Sequence, residues 1–233
     1  MRSLRSLVAA LYLAGALQSS LIAGQPYIDV DQVNGVELLP PPPTPDSPEG
    51  IADLASARAV FKNRTPAEQK RAEKDSSLSI YNFQPAIGDF FRKGDFPKVD
   101  ILFESVKTNI SEIINTPKKH WKRQRPYQLD PELALGRPED SFAYPSGHST
   151  RGMVQSLILA DLFPEKREAI LEFGRTIGWD RVLIGKHFPT DVNAGRVLGK
   201  AIVRELKKSP AFQRDLAAAK AEVEAAAAPA GGR

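Results

Sequence analysis

A chain of 233 residues with 42% hydrophobic content can bury one substantial core, and no shift in composition divides it into two domains. A formal charge of only +4 argues against a polyanionic partner such as nucleic acid. With no cysteine in the chain, disulfides, a thiol nucleophile and a thiolate metal site are excluded, so stability must come from packing.

The chain opens with Met1-Arg2-Ser3-Leu4-Arg5 and an uncharged apolar run from Leu7 to Leu17, followed by Gln18 and small residues. This order predicts a secretory signal peptide over residues 1–24, cleaved near Ala23 or Gly24. The run is too short to span a bilayer, and no later segment supplies the roughly 20 apolar residues a spanning helix needs. The mature protein is therefore expected to be periplasmic or secreted, with no stable membrane insertion after cleavage. Loss of Arg2 and Arg5 would leave 30 basic against 28 acidic residues.

Residues 25–50 read as a proline-rich extended arm, because six prolines fall between Leu39 and Gly50, a composition that favours polyproline conformation over packed structure. From 51 to 228 the pattern is helical. Thr65-Pro66-Ala67-Glu68 supplies an N-cap, a first-turn proline and a capping-box glutamate. Val99, Leu102, Phe103, Val106, Ile110, Ile113 and Ile114 fall on one helical stripe, and no segment alternates at period two. Pro164 and Pro189 can each open a further helix, the second carrying Val192, Gly195, Gly199, Ile202 and Leu206 on one face. An alanine-rich helix over Leu216 to Ala228 precedes a tail, 229–233, expected to be disordered. The fold class expected is all-α: a single-domain helical bundle with its active site at helix ends.

Three spaced elements carry the chemistry. The first is Lys118, six residues, then Arg125-Pro126, with Pro126 expected to end a helix so that Arg125 faces a cleft. The second is Pro145-Ser146-Gly147-His148 at the start of an apolar helix, where Ser146 can cap and the free amides of the first turn can bind phosphate oxygens. The third is Arg181, five residues, His187, three residues, Asp191. There the carboxylate can hold one imidazole nitrogen and leave the other as nucleophile or base. Only three histidines exist in the chain, and two fall in this pattern. Taken singly, each element has a plain structural reading: a capped turn, a satisfied His-Asp pair, a surface ion pair, a solvated basic run. Lys119, Lys122 and Arg123 keep that last reading, and His120 reads as a hydrogen-bonded structural residue. Phe142, Tyr144, Trp121 and Trp179 could line a pocket, although aromatic residues are more often core.

Together the three elements resemble the signature of the type 2 phosphatidic acid phosphatase superfamily. Within it the chain is similar to the secreted class A bacterial non-specific acid phosphatases, over roughly residue 38 to 224. The resemblance implies that His187 becomes phosphorylated, Asp191 orients it, and His148 protonates the departing alcohol and later activates water. It also implies that Lys118, Arg125, Arg181 and the turn at Ser146 and Gly147 bind the phosphoryl oxygens. The expected substrates are small phosphate monoesters, with no metal, no cofactor and no nucleic acid partner; a homo-oligomer is compatible with this reading. One departure is Asp180, where the family usually has serine; a carboxylate there would repel phosphate unless it turns away to pair with a cation. Vanadate-dependent haloperoxidases share the constellation, and a phosphate- or nucleic-acid-binding protein without turnover is the alternative from another class.

Overall fold

The computed structural model describes residues 25–74 and 78–227. The expected signal peptide and the expected tail over 229–233 lie outside the described residues. Among those residues the structure is helical, with no strand. Its principal helices are α1 (Pro48–Asn63), α2 (Pro66–Lys74), α3 (Pro97–Trp121), α4 (Gly147–Leu162), α5 (Arg167–Leu183), α6 (Pro189–Leu206) and α7 (Pro210–Ala227). Proline repeatedly occupies the first helical position, where its missing N–H costs no hydrogen bond and its fixed φ suits the helix. At α2 the expected capping box forms: Thr65 N donates to Glu68 Oε2 at 2.8 Å and Glu68 N to Thr65 Oγ1 at 3.2 Å.

The stripe on α3 is the core face, with Val99, Leu102, Phe103, Val106, Ile110, Ile113 and Ile114 all buried. Each such side chain contributes about 1.5–3 kcal/mol by leaving water. Against it stands α4, itself packed between α5 and α6 through small residues. At Gly195 of α6 the need is steric, since a Cβ there would lie 2.6 Å from the Ser146 carbonyl oxygen. That close approach brings the start of α6 against the start of α4, the two ends that carry the site.

Two expectations are corrected. The stretch 25–50 is not a free arm: Ile28, Val33 and Leu39 are buried in the main core, and α1 begins within it at Pro48. Tyr27 Oη donates to Asp215 at 2.6 Å, and Tyr144 Oη donates to the Pro40 carbonyl at 2.7 Å. The apolar residues that precede the prolines give it a face to bury. Nor does Pro126 end α3. That helix stops at Trp121, where Lys122 turns left-handed (φ 50°) and returns its N–H to the Lys118 carbonyl at 2.9 Å, as in an αL cap. Pro126 instead opens a short turn, Pro126–Leu129.

Candidate active site

All eight residues singled out by the sequence converge at the ends of α3, α4, α5 and α6. Lys118 lies in the last turn of α3 and Arg125 in the extended segment that follows. Ser146 caps α4, its Oγ accepting from Ser149 N at 3.4 Å, and Gly147 and His148 form the first turn. Arg181 occupies the last turn of α5. The α5–α6 connection then turns at Gly185 (φ 69°), a left-handed position that suits glycine, and delivers His187 just before α6. Asp191 is in the first turn of α6 and is fully buried. Its backbone carbonyl accepts from Ser146 N at 2.9 Å, tying the second element to the third.

His187 has a fixed tautomer. Its Nδ1 lies 3.2 Å from Asp191 Oδ2, and its Nε2 lies 3.2 Å from Arg125 Nη1. A guanidinium can only donate, so Nε2 is the acceptor and the ring proton sits on Nδ1, donated to Asp191. Burial, followed by the charges of Arg125, Lys118 and Arg181, holds the His187 pKa well below the usual histidine value. Asp191 is pushed up by burial and drawn back by Arg123.

The cations form a cage whose hydrogen bonds converge on the loop over residues 137–143. Lys118 Nζ donates to the carbonyls of Phe142 and Ala143. Arg125 donates to the carbonyls of Ser141 at 2.8 Å, Phe142 at 3.3 Å and Lys186 at 2.8 Å. Arg181 pairs with Glu139, a carboxylate that burial would raise but that the charges of Arg181, Arg125, His148 and Lys186 hold below its usual range. The Nε–H of Arg181 is buried with no acceptor among the described residues. Lys118 is pushed down to about 7 by burial and by the neighbouring Arg125. Of the carboxylates near these three cations, Asp191 is already paired with Arg123 and Asp180 with Arg71, which leaves Glu139 as their main counter-charge and a place that an anion would fill.

Arg123 is a functional residue that the motif spacing does not reveal. It donates to Asp191 Oδ1 at 2.5 Å, to Thr190 Oγ1 at 2.7 Å and to Asp53 Oδ2 at 2.7 Å, and its guanidinium stacks 4.1 Å from the Phe188 ring centroid. It therefore fixes the carboxylate that fixes His187, and its expected place on a solvated basic face is corrected. Lys122 and Gln124 are exposed while Arg123 and Arg125 turn inward; in an extended segment, residues two apart share a side. Nothing in the run Lys122-Arg123-Gln124-Arg125 itself separates the inward residues from the exposed ones. Asp180 is buried and bonds Arg71, with Nη2 to Oδ1 at 2.8 Å, so it turns away from the cage as its charge requires. His120 is exposed, its ring edge-on to Trp121 at 5.3 Å. Tyr144 is core, whereas Phe142 and Trp179 are partly exposed.

Comparison with known proteins finds relatives that span most of the chain. The model of the PAP2 superfamily matches residues 105–214. The non-specific acid phosphatase of Salmonella typhimurium is 30% identical over 231 residues, covering 94% of this chain and 92% of its own. That of Providencia stuartii is 28% identical, covering 82% and 81%. In fold alone, the chain resembles the crystal structure of a transmembrane PAP2 type phosphatidylglycerolphosphate phosphatase from Bacillus subtilis. The TM-score is 0.51 at 22% identity, over 70% of this chain and 87% of that one. Among the described residues here, no helix is long and apolar enough to cross a membrane. Similarity that runs through almost all of both chains places this one in the PAP2 superfamily, among the class A non-specific acid phosphatases, and makes it a phosphoric monoester hydrolase.

Proposed function

We propose that the chain hydrolyses phosphate monoesters by transferring the phosphoryl group to His187 Nε2, in the periplasm or outside the cell. The observation that carries this is the orientation of His187, with Nδ1–H held by a buried carboxylate and Nε2 turned into the ring of Lys118, Arg125 and Arg181. Substrate oxygens would draw Arg125 off Nε2 and give the Arg181 Nε–H its missing acceptor. Nε2 then attacks phosphorus as the ester P–O bond breaks, and His148 passes its proton to the departing oxygen. In the second half His148 takes a proton from water, the new hydroxide attacks, the P–N bond breaks and inorganic phosphate leaves. Asp191 stabilises the imidazolium that forms in between, while the cations and the Ser146–Gly147 turn stabilise charge on the phosphoryl oxygens.

Lys118, Arg125 and Arg181 surround Nε2 with the positive charge that a metal would otherwise bring to the phosphoryl oxygens, and the reading therefore predicts metal-independent turnover. The test is phosphate release from an aryl phosphate in the presence of EDTA. Retained activity is expected, and loss that a divalent cation restores would contradict the proposal. The N-terminal signature over 1–24 supports export, checked by fractionation and by sequencing the mature N-terminus. The inward turn of Arg123 and Arg125 leaves a diminished basic surface at Lys119 and Lys122, which supports small esters over nucleic acid.

His148→Ala tests the proton donor. Aryl phosphates have good leaving groups and should lose about tenfold, whereas alkyl phosphates should lose about 10²–10⁴. Equal losses on both would mean that another group protonates the leaving oxygen.

The pH dependence follows from two shifts in opposite halves of the range. His187, with its pKa depressed, stays neutral and nucleophilic below the usual histidine value, which permits turnover at acid pH. Lys118 carries its charge below about 7 and loses it above, so phosphate binding weakens as pH rises through that point. In Lys118→Arg the charge persists, since arginine titrates far higher. The ratio of kcat/KM for wild type over this variant should therefore fall about tenfold per pH unit above 7. Taking the ratio cancels the ionisation of the substrate. A ratio that stays flat from about pH 6 to about pH 9 would show that Lys118 does not bind phosphate as a titrating cation.

A further inference from the structure

Beside His148 lies a cavity of about 510 Å³, walled on one side by Phe103, Val106 and Ile110 of α3 and on the other by His148, Arg151 and Gln155 of α4. The three α4 residues fall at i, i+3 and i+7, one face of the helix. This volume is ample for a small organic group. At its far end the carboxylates are engaged: Asp100 accepts from Tyr81 Oη at 2.5 Å, and Glu104 lies 3.6 Å from Lys107 Nζ. Lys93 adds a further cation to the lining.

Arg151 stands where this cavity meets the phosphoryl cage. Its Nη2 donates to Ser111 Oγ at 3.1 Å, and its Nη1 lies 3.2 Å from where a Cβ on Gly147 would stand. It is close enough for its charge to help depress Lys118, yet no carboxylate pairs with it among the described residues. A largely desolvated guanidinium without an acid partner is costly to hold, and a ligand anion would offset that cost. One turn further along the same face, the Gln155 Oε1 is buried without a hydrogen-bond partner.

We propose that this cavity is the leaving-group subsite, and that Arg151 selects phosphate esters whose leaving group carries a second anionic group, a carboxylate or a further phosphate. The inference rests on the reading that His148 faces the departing oxygen. Cβ atoms three residues apart on a helix are about 5–6 Å from each other, a span that a short leaving group such as glycerate bridges between His148 and Arg151. A hydroxyl or amine on the same group would give Gln155 Oε1 its missing donor.

The test compares 3-phosphoglycerate with glycerol 3-phosphate, which differ at the carboxylate, at constant ionic strength. Wild type should favour the carboxylate ester in kcat/KM by at least about tenfold. Arg151→Met should reduce that preference at least about tenfold, and Arg151→Lys should retain most of it. A thermal midpoint close to that of wild type confirms that the variants fold. If both esters fall together in Arg151→Met, the residue acts on the transferred phosphoryl group and the subsite is overturned. If neither falls, its contacts are structural and the subsite is equally overturned. Hydrolysis of no monoester at all would instead contradict the proposed function. In that case equilibrium binding decides the subsite: pyrophosphate should bind wild type at least about tenfold tighter than inorganic phosphate, and Arg151→Met should erase the difference if the proposal holds. An unchanged difference would overturn it.

Discussion

His187→Ala is expected to lower kcat by at least about 10⁴ on every phosphate monoester, because it removes the imidazole nitrogen that a buried carboxylate orients into the cage. The loss should not depend on leaving-group quality, unlike the loss in His148→Ala. Binding of inorganic phosphate should survive, since Lys118, Arg125, Arg181 and the turn at Ser146 and Gly147 remain. The fold should survive too, because Asp191 keeps its bonds from Arg123 and from the Phe188 N–H. Steady-state kinetics together with calorimetric titration of phosphate checks this. A variant retaining activity within tenfold of wild type would remove His187 from the chemistry.

The second large effect is on stability. Arg123 joins two buried carboxylates, Asp53 and Asp191, and its own side chain is 9% exposed. Arg123→Met leaves both without their shared cation and should cost about 3–5 kcal/mol, a fall in Tm of roughly 10 °C for a chain of this size. The pH dependence identifies the cause. Arg123 opposes the upward push of burial on Asp191, so its removal lets the folded-state pKa of that carboxyl rise further above the unfolded value. A group with a raised folded pKa contributes stability at low pH and loses it as pH rises. The deficit of the variant should therefore be largest at neutral pH and shrink as pH falls into the carboxylate range. Activity should fall as well, because Asp191 then holds His187 less firmly. A deficit independent of pH would assign the effect to lost packing against Phe188 rather than to the stranded carboxylates.

Much of this site is legible in the sequence, for a physical reason: helix ends are where sequence signals and anion chemistry coincide. Ser146 at an N-cap, Pro189 at a first helical position and a histidine four residues before a carboxylate each announce a helix terminus, and termini present free amides and oriented side chains. What the sequence hides is set by contacts between distant residues. Asp53 reaches Thr190 and Arg123 across 137 and 70 residues, and Arg71 reaches Asp180 across 109, so no local pattern announces either pair. Arg123 sits inside a basic run that composition reads as solvated; only the backbone conformation after Lys122 sorts the run into inward and outward residues. The segment 25–50 reads as a free arm because its prolines dominate the pattern, although the few apolar residues at 28, 33 and 39 suffice to anchor it once a core face is offered.

Turnover through a phosphohistidine at position 187 is tested most directly by trapping it. Acid destroys such a bond, so the measurement is a millisecond mixing experiment with an aryl phosphate labelled in its phosphoryl group, quenched in base and followed by peptide mapping. A base-stable, acid-labile phosphoryl group is expected on the peptide containing His187, formed and lost at rates compatible with kcat and absent from His187→Ala. Label on the peptide containing His148 instead, or a burst of alcohol with no phosphorylated peptide, would contradict it.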